Sequence, residues 1–285
     1  MPSNPDPQTP IPGSDELSRL HEANARLDNA AKLLVRRDLE LNRANDKLRE
    51  LDQKKSEFVS LVTHQLRTPL SGSKWSLSMI LNGDLGPLTP DQRLYLMKTY
   101  ESNERMIRLI NDLLSADRIE SGTVEFNLMP TQLRDLIDNV VNEIKPIADG
   151  KNVTIETHYP PEVPLVAIDP ATMRVVLQNL IENGIKYNMP KGRVDITLTP
   201  KEKTVECSIA DTGIGIPKEA QDRVFQRFFR APNAVKAETD GSGLGLYIVA
   251  NVIKKHDGAI SFTSEVNKGT TFTVSVPIIQ INKTV

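Results

Sequence analysis

Leucine returns at every seventh position along the first part of the chain: Leu20, Leu27, Leu34, Leu41 and Leu48. Three residues after each stand Ala23, Ala30, Arg37, Ala44 and Leu51, with charged flanks and no helix breaker. Apolar first and fourth positions at a period of seven predict a helix that pairs along a seam, a coiled coil. Arg37 and the small alanines make that seam modest, but five leucines in strict repeat favour pairing with another chain. Ser14 is placed to cap the helix, with Asp15 and Glu16 at the positive end of its dipole. The helical pattern continues through Phe58–Leu70 and Trp75–Leu81 and stops at Asn82-Gly83-Asp84-Leu85-Gly86-Pro87. Thr89-Pro90-Asp91 opens a second helix, with proline where its missing N–H is harmless. Tyr100, Ile107, Ile110 and Leu114 give this helix a core face, and Ser121-Gly122 closes it. Two helices on a short turn form an antiparallel hairpin, and two such hairpins from paired chains make a four-helix bundle.

After Gly122 the pattern changes to short alternating stretches. Val124–Leu128, Val153–Thr157, Val166–Asp169, Val194–Thr199, Thr204–Ala210, Ile260–Ser264 and Thr271–Val276 read as strands. Leu133, Leu136, Ile137, Val140, Val141 and Ile144 form one helical face; Pro170–Tyr187 and Leu244–His256 are further helices. The mixture predicts an α/β sandwich: one sheet, mostly antiparallel, with helices on one face. Between Thr212 and Gly243 little regular pattern survives, and loops of that length are usually functional or disordered. The fold class is thus multidomain, α and α+β. Residues 1–13, with five prolines, form a disordered lead. Residues 14–57 are the coiled-coil helix, 58–122 the hairpin and 123–285 the sandwich domain.

Composition narrows the class. A chain of 285 residues is long enough for about two domains. A hydrophobic share of 39% and a charged share of 25% are ordinary for soluble protein. The net charge of −2 makes no case for nucleic acid or an acidic membrane as partner. One cysteine, Cys207, excludes a disulfide framework and a thiolate metal cluster. No apolar run approaches the roughly 18 residues of a spanning helix, and the start Met-Pro-Ser-Asn-Pro is not a secretory leader. A cytoplasmic location is expected, with no membrane segment in this chain.

Candidate chemistry gathers at three places. His64 has Val62 and Leu66 two residues to either side; two residues turn a helix by about 200°, so the imidazole points away from the face those two would bury. Gln65, Arg67 and Thr68 surround it, and Pro69 removes the helix partner of the Gln65 carbonyl, which predicts a bend. In the helix after Pro170, Asn179, Asn183 and Lys186 share one stripe, with Glu182 on the same side. Amide oxygens and a carboxylate suit Mg²⁺, and the lysine suits phosphate charge. Asp211-Thr-Gly-Ile-Gly-Ile216 follows a strand, and Gly241-Ser-Gly-Leu-Gly-Leu246 opens a helix, where glycines let amides approach phosphate. Each glycine run alone is a weak signal. The remaining histidines read as structural: His21 in the coiled coil, His158 in a loop, His256 in a last helical turn where positive charge suits the dipole.

Taken in order, His64-Gln-Leu-Arg-Thr-Pro, Asn179…Asn183…Lys186-Tyr187, Asp211-x-Gly-x-Gly, Phe225-Gln-Arg-Phe-Phe-Arg230, Gly241-x-Gly-Leu-Gly and Gly269-Thr-x-Phe272 resemble a sensor histidine kinase of two-component signalling, over about residues 58–280. The resemblance implies that the hairpin is the dimerisation and phosphotransfer domain, with His64 as phospho-acceptor and a homodimer as the working unit. It implies a Bergerat-type ATP-binding domain beyond. There Asp211 would bond the adenine amino group, beside Gly213, Gly215, Ile216 and Thr270. Asn183, helped by Asn179 or Glu182, would hold Mg²⁺; Lys186 would face phosphates and Tyr187 flank the nucleotide. Residues 212–243 would be a mobile lid anchored by Phe225, Phe228 and Phe229. Arg230, or less readily Arg227, would meet the γ-phosphate, and Gly241, Gly243, Leu244 and Gly245 would bring amides to the phosphates. The phosphoryl group would pass to an aspartate of a response regulator, with Thr68 linked to its removal. One position departs from the family: Gln65 stands where Glu or Asp is usual, and an amide cannot take a proton. Slower autophosphorylation is expected, and a catalytically weakened dimeric scaffold is the alternative.

Overall fold

The computed structural model describes residues 14–122, 126–239 and 241–279. The predicted lead 1–13 lies outside them, as do Val124 and Glu125 of the predicted strand Val124–Leu128. Contacts divide the chain into two compact units, Met1–Lys55 and Ser56–Val285. In the first unit helix α1, Ser14–Asn82, begins. Its surface is laced with ion pairs three and four residues apart, such as Glu22–Arg26 and Asp28–Lys32, each worth a few tenths of a kcal/mol. Four of the heptad leucines find no cover among the described residues: Leu27, Leu34, Leu41 and Leu48 are 65–70% exposed.

Helix α1 continues unbroken through Pro69 to Asn82, where Gly83 at φ 89° turns the chain. Helix α2, Pro90–Glu120, starts as its sequence predicts: the Thr89 side chain accepts the Gln92 amide while Gln92 reaches back to the Thr89 N–H. Polar clamps hold the two helices in antiparallel register. Asn103 donates to the Leu70 carbonyl, Arg67 to Asn111, Arg93 to the Leu81 carbonyl, and Lys74 pairs with Glu104. The face that α1 turns inward is not the predicted one. Thr63 is buried and Val62 half-buried, but Leu66 is 46% exposed. A single α2 covers one side of α1 only, so Phe58, Leu61 and Leu66 stay on the surface.

The sandwich domain follows the predicted order with one addition. Strand β1, Met129–Thr131, replaces the expected Val124–Leu128 and pairs antiparallel with β3, Val166–Ile168, in a separate two-stranded sheet. β3 runs straight into Asp169, the N-cap of helix α4, Pro170–Lys186, and its Val166 also bridges Ile278. Helix α3, Leu133–Gly150, buries Leu133, Ile137, Val140, Ile144 and Ala148 on one stripe. The main sheet contains β2 (Thr154–His158), β4 (Arg193–Pro200), β5 (Thr204–Asp211), β6 (Ala259–Glu265) and β7 (Gly269–Pro277) in the order β2-β4-β5-β7-β6. Only β2–β4 is parallel. Alternate residues of the inner strands, Val194, Ile196, Leu198, Val205, Cys207 and Ile209 among them, are buried with the apolar faces of α3, α4 and α7 (Gly245–Lys255). Short helices α5 (Lys218–Gln221) and α6 (Pro232–Ala237) interrupt the irregular segment.

Two histidines sit differently from expectation. His158 ends β2 rather than lying in a loop, with Nε2 3.6 Å from Asp195. His256 is 1% exposed, and its Nε2 accepts the Asp169 amide at 3.0 Å while Nδ1 faces the Val252 carbonyl at 2.8 Å. A carbonyl only accepts, so Nδ1 carries the hydrogen and Nε2 the lone pair. The ring is therefore neutral and structural, tying the end of α7 to the N-cap of α4, instead of serving as an exposed cation for the helix dipole.

Candidate active site

A cavity of about 880 Å³ brings together residues far apart in sequence. Helix α4 contributes Asn179, Glu182, Asn183, Lys186 and Tyr187, the stripe set by its helical spacing. The end of β5 contributes Asp211, the segment after it Gly215 and Ile216, and the start of β7 Thr270. Gly241, Gly243 and Gly245 close it at the start of α7.

Asp211 is held by its two neighbours. The Gly213 amide donates to Oδ1 at 2.8 Å and the Thr270 amide at 3.2 Å. Both bonds fall on one oxygen and stabilise the charge, yet burial outweighs them and pushes the carboxyl up to about 6. The site needs Gly269, at φ 109°, because a Cβ there would run into the carbonyl oxygen of Asp211. Beneath the wall, Ser264 Oγ accepts from the Ile216 amide and meets Thr270 Oγ1 at 2.8 Å. Tyr187 caps α4, and its carbonyl takes the Ile214 amide, so the loop after Asp211 is pinned to the helix bearing Asn183.

Toward the glycine-rich end, Asn179 gives its Nδ2 to the Val175 carbonyl at 2.8 Å, which leaves Oδ1 toward Gly245. A Cβ on Gly245 would sit 2.5 Å from that oxygen, so the approach of α7 to α4 depends on glycine here. Glu182 accepts from Gln178 at Oε1. Asn179 Oδ1, Asn183 Oδ1 and the Glu182 carboxylate are hard oxygen donors on one cavity wall, a set that fits Mg²⁺. Lys186 lies with Nζ 5.7 Å from the Tyr187 ring centre. Leu244, expected at the phosphates, is buried and does not line the cavity; its amide donates to Ser242 Oγ at 3.2 Å.

The residues expected to anchor and arm a lid divide. Phe225 anchors the segment, stacking edge-on against Phe262 and Phe272. Phe229 lines the cavity. Phe228, expected to be a third anchor, is 60% exposed at φ 62°, and its backbone leaves no room for a Cβ on Gly243. Arg230 turns its guanidinium onto lid carbonyls: Thr239 and Gly241 accept from Nη1, Ala234 and Glu238 from Nη2. Arg227 pairs with Glu120 of α2 at 3.1 Å.

His64, Gln65 and Thr68 are exposed on α1 and do not line the cavity. Thr68 Oγ1 donates to the His64 carbonyl at 3.4 Å, and Arg67, one turn along, holds Asn111, which does line it. Among the cavity residues that sequence reasoning missed, Arg105, Arg108 and Asp112 come from α2. Asp112 accepts from Ser242 Oγ at 2.9 Å across 130 residues, and burial, reinforced by the charge of Glu182, raises its carboxyl above the usual range. A three- and four-residue stripe on α2 was readable in the sequence, but nothing in it indicates what it faces.

Two family models match the chain. Residues 54–122 match the His Kinase A (phospho-acceptor) domain, and residues 168–280 match the histidine kinase-, DNA gyrase B- and HSP90-like ATPase. Circadian input-output histidine kinase CikA of Synechococcus elongatus is 32% identical over 78% of this chain and 30% of its own length. Sensor histidine kinase WalK of Bacillus subtilis is 34% identical over 80% of this chain and 37% of its own. The crystal structure of full-length ShkA in complex with AMPPNP superposes with a TM-score of 0.65 at 30% identity, covering 78% of this chain and 46% of that one. The chain thus spans about a third of the length of these curated relatives. Among the described residues no helix is long and apolar enough to cross a membrane. With a phospho-acceptor hairpin and an ATPase domain in that order on one chain, and histidine kinases among its relatives, the chain belongs to the sensor histidine kinase family of two-component signalling.

Proposed function

We propose that the chain binds ATP with Mg²⁺ in this cavity, transfers the γ-phosphoryl group to His64, and passes it to an aspartate of a response regulator. One observation carries the reading: Asn183, Lys186, Asp211 and the glycine-rich start of α7 line one cavity, on a chain whose hairpin presents an exposed histidine. Adenine fits against Asp211, where the oxygen left by the two amides accepts the exocyclic amino hydrogen. Asn183, with Asn179 or Glu182, would hold Mg²⁺, which supplies charge neutralisation at the phosphates when bound. Lys186 and the amides of the Gly241–Gly245 segment spread the developing charge further. A ring nitrogen of His64 attacks the γ-phosphorus in line, the bond to the β,γ-bridging oxygen breaks, and ADP leaves. The proton on the other ring nitrogen then passes to water, since Gln65 accepts a hydrogen bond but not a proton. The P–N bond formed is labile, which suits onward transfer.

His64 lies outside the cavity, so transfer requires a rearrangement that brings it to the nucleotide of the same or a partner chain. The uncovered leucine seam, with Phe58, Leu61 and Leu66 on the hairpin, supports a homodimer. Thr68, beside His64, supports a phosphatase role toward the regulator; that role is dropped if Thr68→Ala dephosphorylates the regulator as fast as the parent. The decisive test incubates the protein with γ-labelled ATP and Mg²⁺ beside His64→Ala. Acid-labile, alkali-stable label that vanishes in the variant supports the reading; label retained there sinks it.

A further inference from the structure

Among the described residues, the cationic side chains lining the cavity are Lys186 and Arg230 of the ATP-binding domain and Arg105 and Arg108 of α2. The first arginine is turned away from a ligand: its guanidinium bonds four lid carbonyls. Arg227, the other lid candidate, pairs with Glu120. A nucleotide triphosphate remains anionic even with one divalent cation, and arginine is the side chain best matched to phosphate oxygens. Arg105, Arg108 and Asp112 follow one another at three and four residues, a single stripe of α2 facing the cavity. That stripe is fixed in place at the glycine-rich end. Asp112 takes the Ser242 hydroxyl, and Arg108 stands close enough to Asp112 to favour its charged form. Ala116 and Ile119, further along α2, are buried in the same core as α7.

We propose that α2 of the hairpin is a wall of the nucleotide site and that Arg105 and Arg108 bind the terminal phosphates of the nucleotide, in the place a lid arginine was expected to fill. The inference rests on the reading of the cavity as an ATP site. It gives the phosphotransfer hairpin a direct means of distinguishing a triphosphate from a shorter nucleotide before His64 moves.

The test titrates the full chain and the double variant Arg105→Ala/Arg108→Ala with AMPPNP plus Mg²⁺, with ADP and with adenosine, by calorimetry. Loss of charge-assisted bonds predicts AMPPNP weakened roughly ten- to a hundredfold, ADP less, and adenosine within about twofold. Arg108→Lys in place of alanine recovers part of the AMPPNP affinity. Unchanged AMPPNP binding overturns the proposal. Equal weakening of all three ligands also overturns it, since α2 would then only shape the domain. A parent chain that binds no AMPPNP sinks the ATP reading itself, a result separable from the others.

Discussion

Replacing Asp211 by asparagine tests the adenine wall with little disturbance to the fold. The side chain keeps its shape, and its oxygen can still accept the Gly213 and Thr270 amides that now bond Oδ1 at 2.8 and 3.2 Å. The other atom changes from an acceptor to an amide donor facing the adenine amino group, itself a donor. One charge-assisted hydrogen bond is lost, worth about 1.5–3 kcal/mol, or roughly ten- to 150-fold in Kd. Guanine carries a carbonyl where adenine has its amino group, so Asp211→Asn narrows the preference for adenine over guanine nucleotides. Acidity provides a second reading of the same atom. Burial pushes the carboxyl up to about 6, and only the ionised form accepts from adenine on its outer oxygen. Affinity therefore falls as pH drops through about 6; one unit below, about a tenth of the sites are ionised and binding weakens about tenfold. Phosphate ionisation of the nucleotide affects both proteins alike, so the ratio of parent to variant affinity isolates Asp211. Calorimetric titration with AMPPNP from pH 5 to 8 measures it. A variant within twofold of the parent at pH 7.5, or one whose pH profile parallels the parent's, refutes the assignment.

Further expectations concern the reacting histidine and the frame. Gln65→Glu supplies the missing base, and since such help is worth typically 10²–10⁴-fold, the initial rate of autophosphorylation rises about tenfold or more; an unchanged or lower rate counts against this role for the side chain. Gly269→Ala places a Cβ against the Asp211 carbonyl at φ 109°; a strain of about 2–3 kcal/mol lowers Tm by about 4–10 °C in a thermal melt. His256→Ala leaves the buried Asp169 amide without its acceptor and removes the edge-on contact with Phe126, costing about 2–4 kcal/mol in urea unfolding, whereas His256→Gln, which can accept, recovers part of it.

Much of this arrangement is legible in local chemistry. Thr89 and Asp169 are N-caps because their side chains sit three residues before an open amide, and both make that bond. Asn179, Asn183 and Lys186 share a wall because helical periodicity puts them there. Asp211 and the glycines follow a strand and open a helix, as their composition requires. What was not legible depends on long-range packing. The turn of Arg230 onto lid carbonyls reflects which acceptors the folded segment presents, and Ser242 meets Asp112 only because α2 packs on α7. Leu66 misleads for a related reason: periodicity identifies an apolar face but not whether the same chain covers it. The pairing of β3 with β1 is likewise long-range, and the alternation of Val166–Ile168 does not indicate its partner.

The guanidinium of Arg230 has one more consequence. By accepting one cation from four points, the carbonyls of Ala234, Glu238, Thr239 and Gly241 become the rim of a closed ring whose hub is a single side chain. A loop tied in this way has few internal degrees of freedom left to lose when a nucleotide enters. Ahead of that ring, Phe225 packs edge-on against Phe262 and Phe272. A substitution at Arg230 is then expected to loosen the segment, read as faster nucleotide exchange before any change in affinity.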